Sequence, residues 1–222
     1  MRPGALYGLT GQLSATSMNP VSRETQQRDT DTRERILAAG TELFGKKGFN
    51  GCGLNEVLQQ AGVPKGSFYH YFGSKEEFGI VLIERARDEY LEEMRPLLSD
   101  RRQRPLQRLR AVFEHTRDCC AESGPTVECL IPKLALETGT LSEPVHAAVK
   151  SCYQLWSALL AQVIREGQAS GEIDGKHDAD RLANVLVMLW EGAAIRMQID
   201  RNIAPLNDFL AFVFDTLLGP AR

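Results

Sequence analysis

The chain has 222 residues, 43% hydrophobic and 25% charged, a globular composition that excludes collagen-like repeats, low-complexity disorder and a disulfide scaffold. No apolar run approaches the ~20 residues that a membrane-spanning helix needs. The five cysteines are irregularly spaced, which favours free thiols in a reducing cytoplasm. The net charge of −3 is uneven, with +2 in residues 28–75 and −6 in residues 76–222. An anion-facing surface is therefore expected near one end.

The first residues are rich in Gly, Ser, Thr, Gln and Pro. Residues 1–27 show no hydrophobic period, which predicts a disordered leader. The apolar run Ala5–Leu13 is interrupted by Gly8 and Gly11, so it lacks the continuous apolar core of a secretory signal. These features predict a cytoplasmic protein without a membrane partner.

Four helices are predicted in the next part of the chain. From residue 31 onward apolar residues recur at helical spacing, and Gly48 is expected to end the first helix. A second, short helix ends at the turn Ala61–Pro64, and a third begins near Lys65. Ser74, with a glutamate three residues later, is a typical capping box for a long fourth helix that runs to about residue 98.

Further helices are predicted at about residues 104–122, 127–138, 142–170, 178–200 and 205–218. Glycine and proline mark the breaks between them, and no stretch shows the period-two alternation of a β-strand. The chain is therefore predicted to be all-α, with about nine helices, a head at residues 28–75 and a body at residues 76–222.

The second and third helices carry the strongest functional pattern. They are short and joined by the tight turn Ala61–Pro64, as in a helix-turn-helix unit. The second helix of such a unit enters the DNA major groove, where its N-terminal residues reach base edges. An ordinary helical hairpin with a polar face is the alternative interpretation of the same pattern.

The residue types around the third helix fit contact with DNA. Lys65 brings a positive charge, Gly66 lets the backbone approach closely, and Ser67 offers a short hydrogen-bonding side chain. Lys75 is expected at the start of the fourth helix, where free backbone N–H groups favour a phosphate. The residues assigned to the DNA interface are Asn55, Lys65, Gly66, Ser67, Tyr69, His70 and Lys75.

Residues 32–78 resemble the DNA-binding domain of the TetR family of bacterial transcriptional regulators. The most specific segment is GVPKGSFYHYF at residues 62–72, followed by SKE at residues 74–76. The resemblance implies a three-helix DNA-binding head and a helical ligand-binding body. It also implies a homodimer formed through the last two helices and, as in most members, a repressor that a small molecule releases. Because one recognition helix covers few base pairs, two copies are expected to bind a palindrome.

The segment CLIPKLALE at residues 129–137 is similar to one in a TetR subgroup that includes the N-ethylmaleimide repressor and the acrylate-responsive regulator. That subgroup usually has Gly before the cysteine, where this chain has Glu128. A cysteine at the start of the sixth helix is predicted to have a lowered thiol pKa, which the Glu128 carboxylate opposes. The resemblance assigns the effector or sensor site to Cys129, Cys152, Tyr153, Trp156, Trp190 and Glu191, with a small organic effector that is either electrophilic or bound noncovalently. Core packing is the alternative interpretation of the aromatic residues. The alternative is that Cys129 is a packing thiol.

Other patterns in the body indicate structure more than chemistry. His115, Cys119 and Cys120 lie about one helical turn apart, but no second pair of ligands accompanies them, so neither a metal nor a cofactor is expected. The chain has no nucleophile elbow, P-loop or dinucleotide fingerprint, which indicates that it is not an enzyme. The alternative function is a helical thiol- or metal-sensing protein that does not bind DNA.

The last two helices are expected to supply the contacts between two copies. Glu191 and Arg196 interrupt the apolar run 182–199, so they are expected to pair with each other, to line a pocket or to lie at the dimer interface. The predicted apolar dimer face consists of Phe209, Phe212, Val213, Leu217 and Leu218.

Overall fold

The computed structural model of the protein describes residues 20–124 and 129–218, and most of this part is helical. The helices are α1 Pro20–Gly51, α2 Leu54–Ala61, α3 Lys65–Tyr71, α4 Lys75–Ser99, α5 Pro105–Ser123, α6 Leu130–Ala135, α7 Glu143–Ala169, α8 Ala179–Asp200 and α9 Ala204–Phe212. A 3-10 turn at Thr138–Thr140 follows α6, and a π-helical turn at Val213–Leu217 extends α9. The described ranges contain no strand, which agrees with the all-α prediction.

The start of α1 differs from the predicted leader. Residues 20–27, expected to be disordered, belong to α1, and residues 1–19 lie outside the described part of the chain. Pro20 occupies the first turn, where a missing N–H breaks no helical hydrogen bond, and neither Gly nor Pro follows until Gly40. Residues 20–27 need no apolar stripe of their own, because they extend a helix that is stabilised by the packing of its later residues.

Three helix boundaries in the structure lie at the residues that were predicted from the sequence. The backbone leaves the helical conformation at Gly48 (φ 77°, ψ 175°), and Gly62 ends α2 in the left-handed region (φ 64°, ψ 39°). The Glu77 N–H donates to the Ser74 hydroxyl at 3.0 Å. Glycine accepts positive φ without a Cβ clash, and the serine satisfies a free N–H at the start of α4.

The head is held together by a cluster of phenylalanine side chains from α1, α3 and α4, which we call the head cluster. Phe44, Phe68, Phe72 and Phe78 are each no more than 2% exposed. The Phe78 ring centroid lies 4.8 Å from that of Phe72, 5.4 Å from Phe68 and 5.7 Å from Phe44. The steep angles between Phe78 and its neighbours are the favourable edge-to-face arrangement. The head cluster also includes side chains of α6 and of the first half of α7.

The body has a separate apolar cluster centred on Phe113 of α5. The Phe113 ring centroid lies 4.9 Å from Phe209, 5.3 Å from Trp190 and 6.2 Å from Trp156. Helices α5, α7, α8 and α9 therefore converge on one aromatic centre.

The outward side of α8 is apolar. Met188, Ile195 and Ile199 are 64%, 42% and 68% exposed, and their spacing places them on one stripe with Gly192. By length and composition α8 is apolar enough to cross a membrane. This finding corrects the prediction from the sequence that no apolar segment approaches that length. Its other side, however, packs in the body cluster, as expected of a core helix with one unpartnered face.

The predicted dimer face on α9 is only partly exposed. Phe209, Val213 and Leu218 are buried in the body cluster, whereas Phe212 is 54% exposed. The sequence alone did not distinguish these positions, because a single chain uses most of this apolar face to close its own core. The exposed apolar surface near the end of the chain therefore comes mainly from α8.

Candidate DNA interface and effector site

Hydrogen bonds at the end of α2 hold the turn before α3. The Gly62 N–H donates to the Gln59 carbonyl at 3.2 Å, and the Val63 N–H donates to the Leu58 carbonyl at 3.0 Å. The guanidinium of Arg35 on α1 donates to the Gly62 carbonyl at 3.0 Å. The turn is thus tied to both α1 and α2, which fixes where α3 begins.

Helix α3 has a buried side and an exposed side. Phe68 is fully buried in the head cluster, whereas Tyr69 is 59% exposed and His70 also projects into solvent. Lys65 is exposed in the first turn, and a Cβ built on Gly66 would meet no atom within 4 Å. Lys65, Gly66 and Tyr69 are thus open to solvent, so a DNA backbone can approach the first turns of α3 closely.

The other predicted interface residues differ in exposure. Ser67 is half-buried in the first turn of α3, and Asn55 is exposed in the first turn of α2. Lys65 forms no ion pair within the described residues, whereas Lys47 pairs with Glu56. Lys65 is therefore the better-placed free positive charge on this surface.

Lys75 has a different environment from the one predicted. Its ammonium group donates to the Phe49 carbonyl at 2.6 Å and lies 4.5 Å from the centre of the Phe49 ring. A cation at the carboxyl end of a helix and over an aromatic face stabilises both. Lys75 is thus engaged within the head, because the start of α4 lies against the end of α1.

Sequence reasoning missed a contact between α1 and α3. The Tyr71 hydroxyl donates to the Asp29 carboxylate at 2.5 Å, and His70 Nε2 lies 3.6 Å from the other Asp29 oxygen. The hydrogen bond to Asp29 raises the pKa of Tyr71. No sequence signal indicated this contact, since Asp29 is separated from α3 along the chain and lies next to the presumed leader.

The body contains a group of titratable side chains that we call the interior polar cluster, formed by Tyr90, Cys129, Tyr153 and Glu191. Burial raises the pKa of Glu191 to about 7, and the nearby Tyr153 hydroxyl opposes that rise. Glu191 also lies close enough to raise the pKa of the Cys129 thiol and of Tyr90. Glu191 is thus partly protonated near neutral pH, and perturbed groups of this kind mark candidate ligand sites.

Aromatic rings of the body pack next to the interior polar cluster at Tyr90. Trp156 lies edge-to-face with Tyr90 at 5.0 Å, and Trp190 packs on Phe113 at 5.3 Å. Tyr90 was not predicted, because the charged residues beside it on α4 obscure its position on the apolar stripe with Met94. The predicted residues Tyr153, Trp156, Trp190 and Glu191 thus lie around one region of the body.

Cys152 does not belong to this region. Its thiol donates to the Ala148 carbonyl at 3.3 Å, and the residue is buried in the head cluster. Burial raises the pKa of Cys152 to about 11. The neighbouring position of Tyr153 along α7 is misleading, because adjacent helical residues point in different directions.

Cys129 lies at the predicted start of α6, but its predicted acidity is wrong. The residue is accessible to solvent, yet surrounding protein desolvates the thiol and, with the Glu191 carboxylate, raises its pKa to about 11. The Ile131 N–H lowers that pKa only in part. Desolvation is the largest influence on the Cys129 pKa, and it outweighs the effect of the N-terminus of the short helix α6. Glu128, expected to raise this pKa, lies outside the described residues.

A surface groove lies beside Tyr153, one member of the interior polar cluster. It has a volume of about 450 Å³ and is lined by residues of α6, α7 and α8, among them Tyr153, Lys150 and Ser157. Tyr153 therefore takes part in both the groove and the cluster. A small molecule in this groove would contact Tyr153.

The remaining candidate patterns are local pairs. His115 lies 3.7 Å from the Cys119 sulfur and 3.8 Å from the Glu93 carboxylate, and the described residues contain no group of three side chains arranged for a metal. Arg196 pairs with Asp200 at 2.7 Å. The alternative in which Arg196 pairs with Glu191 is therefore wrong, since the Arg196 guanidinium is engaged by Asp200 instead.

A helix-turn-helix head with an uncovered recognition helix, joined to a helical body with buried titratable groups, defines a DNA-binding regulator. The model of the bacterial regulatory proteins of the tetR family matches residues 36–78, and that of the tetracyclin repressor-like C-terminal domain matches residues 105–213. The chain belongs to the TetR family of bacterial transcriptional regulators. It is a DNA-binding transcriptional regulator and not an enzyme, as the sequence predicted.

Relatives agree with the predicted subgroup. The chain is 37% identical over 191 residues to the HTH-type transcriptional repressor NemR of Escherichia coli strain K12, covering 86% of this chain and 96% of NemR. It is 36% identical over 176 residues to the transcriptional regulator AcuR of Cereibacter sphaeroides, covering 79% and 80%. The crystal structure of reduced E. coli NemR matches with a TM-score of 0.79 at 37% identity, covering 86% of this chain and all of that one.

Proposed function

We propose that the protein is a cytoplasmic transcriptional repressor that binds a palindromic operator as a homodimer and leaves it when a small organic effector reaches the body. The observation that carries the proposal is the uncovered side of α3, where Lys65, Gly66, Tyr69 and His70 face solvent. The printed name of NemR, a transcriptional repressor of similar sequence, supports repression as the mode of action.

The apolar stripe of α8 supports the homodimer. Met188, Ile195 and Ile199 would be buried by a second copy, and a Cβ on Gly192 would meet no atom within 4 Å. The absence of a side chain at Gly192 allows a partner helix to approach closely. A two-fold contact would place two copies of α3 on inverted half-sites of the DNA. Sedimentation at micromolar protein is expected to give twice the chain mass, and a monomer would contradict this part.

The interior polar cluster and the groove at Tyr153 support binding of the effector in the body. Tyr153 and Glu191 can donate and accept hydrogen bonds, while Trp156 supplies apolar surface. Such a mixture suits a small molecule with one polar group on an apolar body. Cys129 is the thiol within this cluster, so it is the residue to test for covalent modification.

An electrophile would react with Cys129 by forming one covalent bond. In the reaction with N-ethylmaleimide, the thiol loses its proton, the sulfur bonds to one alkene carbon, and the other alkene carbon takes up a proton. Because the pKa of Cys129 is raised to about 11, little thiolate is present at neutral pH. The alkylation rate is therefore expected to rise about tenfold per pH unit between pH 7 and pH 10.

The experiment compares DNA release by N-ethylmaleimide in wild type and Cys129→Ser. We expect alkylation of wild type to weaken operator binding, and Cys129→Ser to stay bound. Cys152→Ser serves as the matched control, since its thiol is buried in the head cluster. Equal release from wild type and Cys129→Ser would exclude Cys129 as the sensor. If neither is released, the electrophilic effector is excluded, and a noncovalent ligand at Tyr153 and Glu191 is the hypothesis to test.

A further inference from the structure

Glu137 of the body forms a hydrogen-bonded contact with the end of α1. Its carboxylate accepts the Asn50 backbone N–H at 3.0 Å and the Asn50 side-chain amide at 3.2 Å. The same amide donates to the Thr140 hydroxyl at 2.9 Å. The Thr140 N–H in turn donates to the Glu137 carbonyl at 2.9 Å. Asn50 is thus held by one backbone and two side-chain hydrogen bonds from residues just beyond α6.

The backbone of Gly48 is shaped to admit this carboxylate. Gly48 has φ 77° and ψ 175°, a conformation open essentially to glycine alone. A Cβ at Gly48 would overlap a Glu137 carboxylate oxygen. The break in α1 therefore does more than end a helix, because it turns the Asn50 donors toward the body.

The segment that carries Glu137 links the two parts of the protein. We call residues 129–140 the α6 arm. Leu130 and Leu134 of the arm are 3% and 0% exposed within the head cluster, while Cys129 at its start belongs to the interior polar cluster. The ion pair between Arg85 on α4 and Glu34 on α1 is a second polar contact between the two parts, and both contacts are accessible to solvent.

We infer that Glu137 is a positioning residue for DNA binding, holding the head at the orientation to the body that sets the distance between the two recognition helices of a dimer. The inference rests on the proposed dimer and palindrome. Glu137 touches no DNA in this role and acts through Asn50 and the end of α1. Without the contact, the head remains folded but can rotate about the apolar contacts of Leu130 and Leu134.

The test measures tolerance of the distance between operator half-sites. A duplex is first selected from a random pool with the full-length wild-type chain, and its spacer is then lengthened by one and by two base pairs. Fluorescence anisotropy gives the affinity of each variant for each duplex. We expect one extra base pair to weaken wild-type binding by roughly tenfold, on the order of one mismatched base pair. Asn50→Asp places a carboxylate against Glu137, and we expect it to reduce this ratio to about threefold or less.

The ratio of the affinities for the selected and the lengthened spacer distinguishes a change in head orientation from a loss of stability. A variant that is only less stable loses affinity for all spacers equally, so its ratio stays at the wild-type value, and this result overturns the inference. Adding Glu137→Gln to Asn50→Asp restores a donor opposite the new carboxylate and is expected to recover the ratio. Glu143→Gln is the matched control, because Glu143 is exposed in the first turn of α7. If the wild-type chain selects a single half-site from the pool, the proposed dimer is overturned together with this inference. If Asn50→Asp keeps the wild-type ratio of affinities, this inference alone is overturned.

Discussion

The head and the body both contain clusters of aromatic rings, but they differ in where their polar groups lie. In the head, Phe44, Phe68, Phe72 and Phe78 pack on one another, and the hydrogen-bonding side chains of α3 point outward. In the body, the titratable side chains of Tyr153 on α7 and Glu191 on α8 lie close together and are partly buried beside the aromatic rings of the body cluster.

This difference indicates how each part works. An apolar core has no polar group that a ligand could engage, so the head is a rigid support for side chains that contact DNA from outside. A buried carboxyl group near its pKa is stabilised poorly by the protein alone, and a ligand that bonds to it can shift the balance between conformations of the body. The α6 arm joins the two regions.

The largest expected effect comes from breaking the head cluster. Phe78→Ala removes a fully buried ring that contacts three other phenylalanines and is expected to cost about 3–5 kcal/mol of stability. Urea unfolding followed by circular dichroism measures the change. Tyr69→Ala, on the exposed side of α3, is the control and is expected to change stability by less than about 0.5 kcal/mol while weakening DNA binding. A small cost for Phe78→Ala would mean that the head cluster is not close-packed.

The next effect concerns the buried carboxyl group of the body. Burial raises the pKa of Glu191 from 4.5 to about 7, so the folded chain binds a proton more tightly than the unfolded chain in that window. Wild-type stability therefore falls as the pH rises from about 4.5 to about 7. Glu191→Gln avoids this loss and is expected to be more stable than wild type at pH 8, on the order of 2 kcal/mol.

The difference between Glu191→Gln and wild type is expected to disappear near pH 4, where both side chains are neutral. Thermal melts across this pH range measure it. Glu92→Gln, at an exposed position on α4, is the control and should show no such crossover. If wild type and Glu191→Gln respond identically to pH, the carboxyl group at residue 191 is solvated and the contrast between head and body fails.

The smallest expected effect is a difference between Lys65 and Lys75 in the salt dependence of DNA binding. Lys65→Ala is expected to reduce the salt dependence of DNA binding by about one unit of slope, as for one lost phosphate contact. Lys75→Ala is expected to leave the slope unchanged and to lower stability by about 1 kcal/mol, because Lys75 bonds to the Phe49 carbonyl. If both variants reduce the slope of the salt dependence equally relative to wild type, Lys75 also contacts phosphate.

The sequence predicted the helices of the head well because their limits depend on local chemistry. Ser74 caps α4 through a residue three positions away, and Gly62 accepts a positive φ wherever it occurs. The alternation of Phe68 with Tyr69 and His70 likewise indicated which side of α3 is buried. Membership of the TetR family followed from the same segment, since its motif lies on these helices.

Contacts between distant segments were not predictable in the same way. The pKa of Cys129 depends on Glu191 of α8, and the environment of Lys75 depends on Phe49 at the end of α1. Nothing local to either residue indicates the partner. The predicted dimer face on α9 was also wrong at Phe209 and Val213, because both side chains are buried in the body cluster of their own chain.

The sequence by itself therefore determined the helix limits at Gly48, Gly62 and Ser74, the recognition helix and the family, because each is encoded in residues within a few positions of one another. Only the tertiary structure decided that Cys129 is weakly acidic, that Lys75 faces inward and that Glu137 contacts Asn50. Desolvation, charge and hydrogen bonding depend on what surrounds a group in space, and that surrounding is made of helices far apart along the chain.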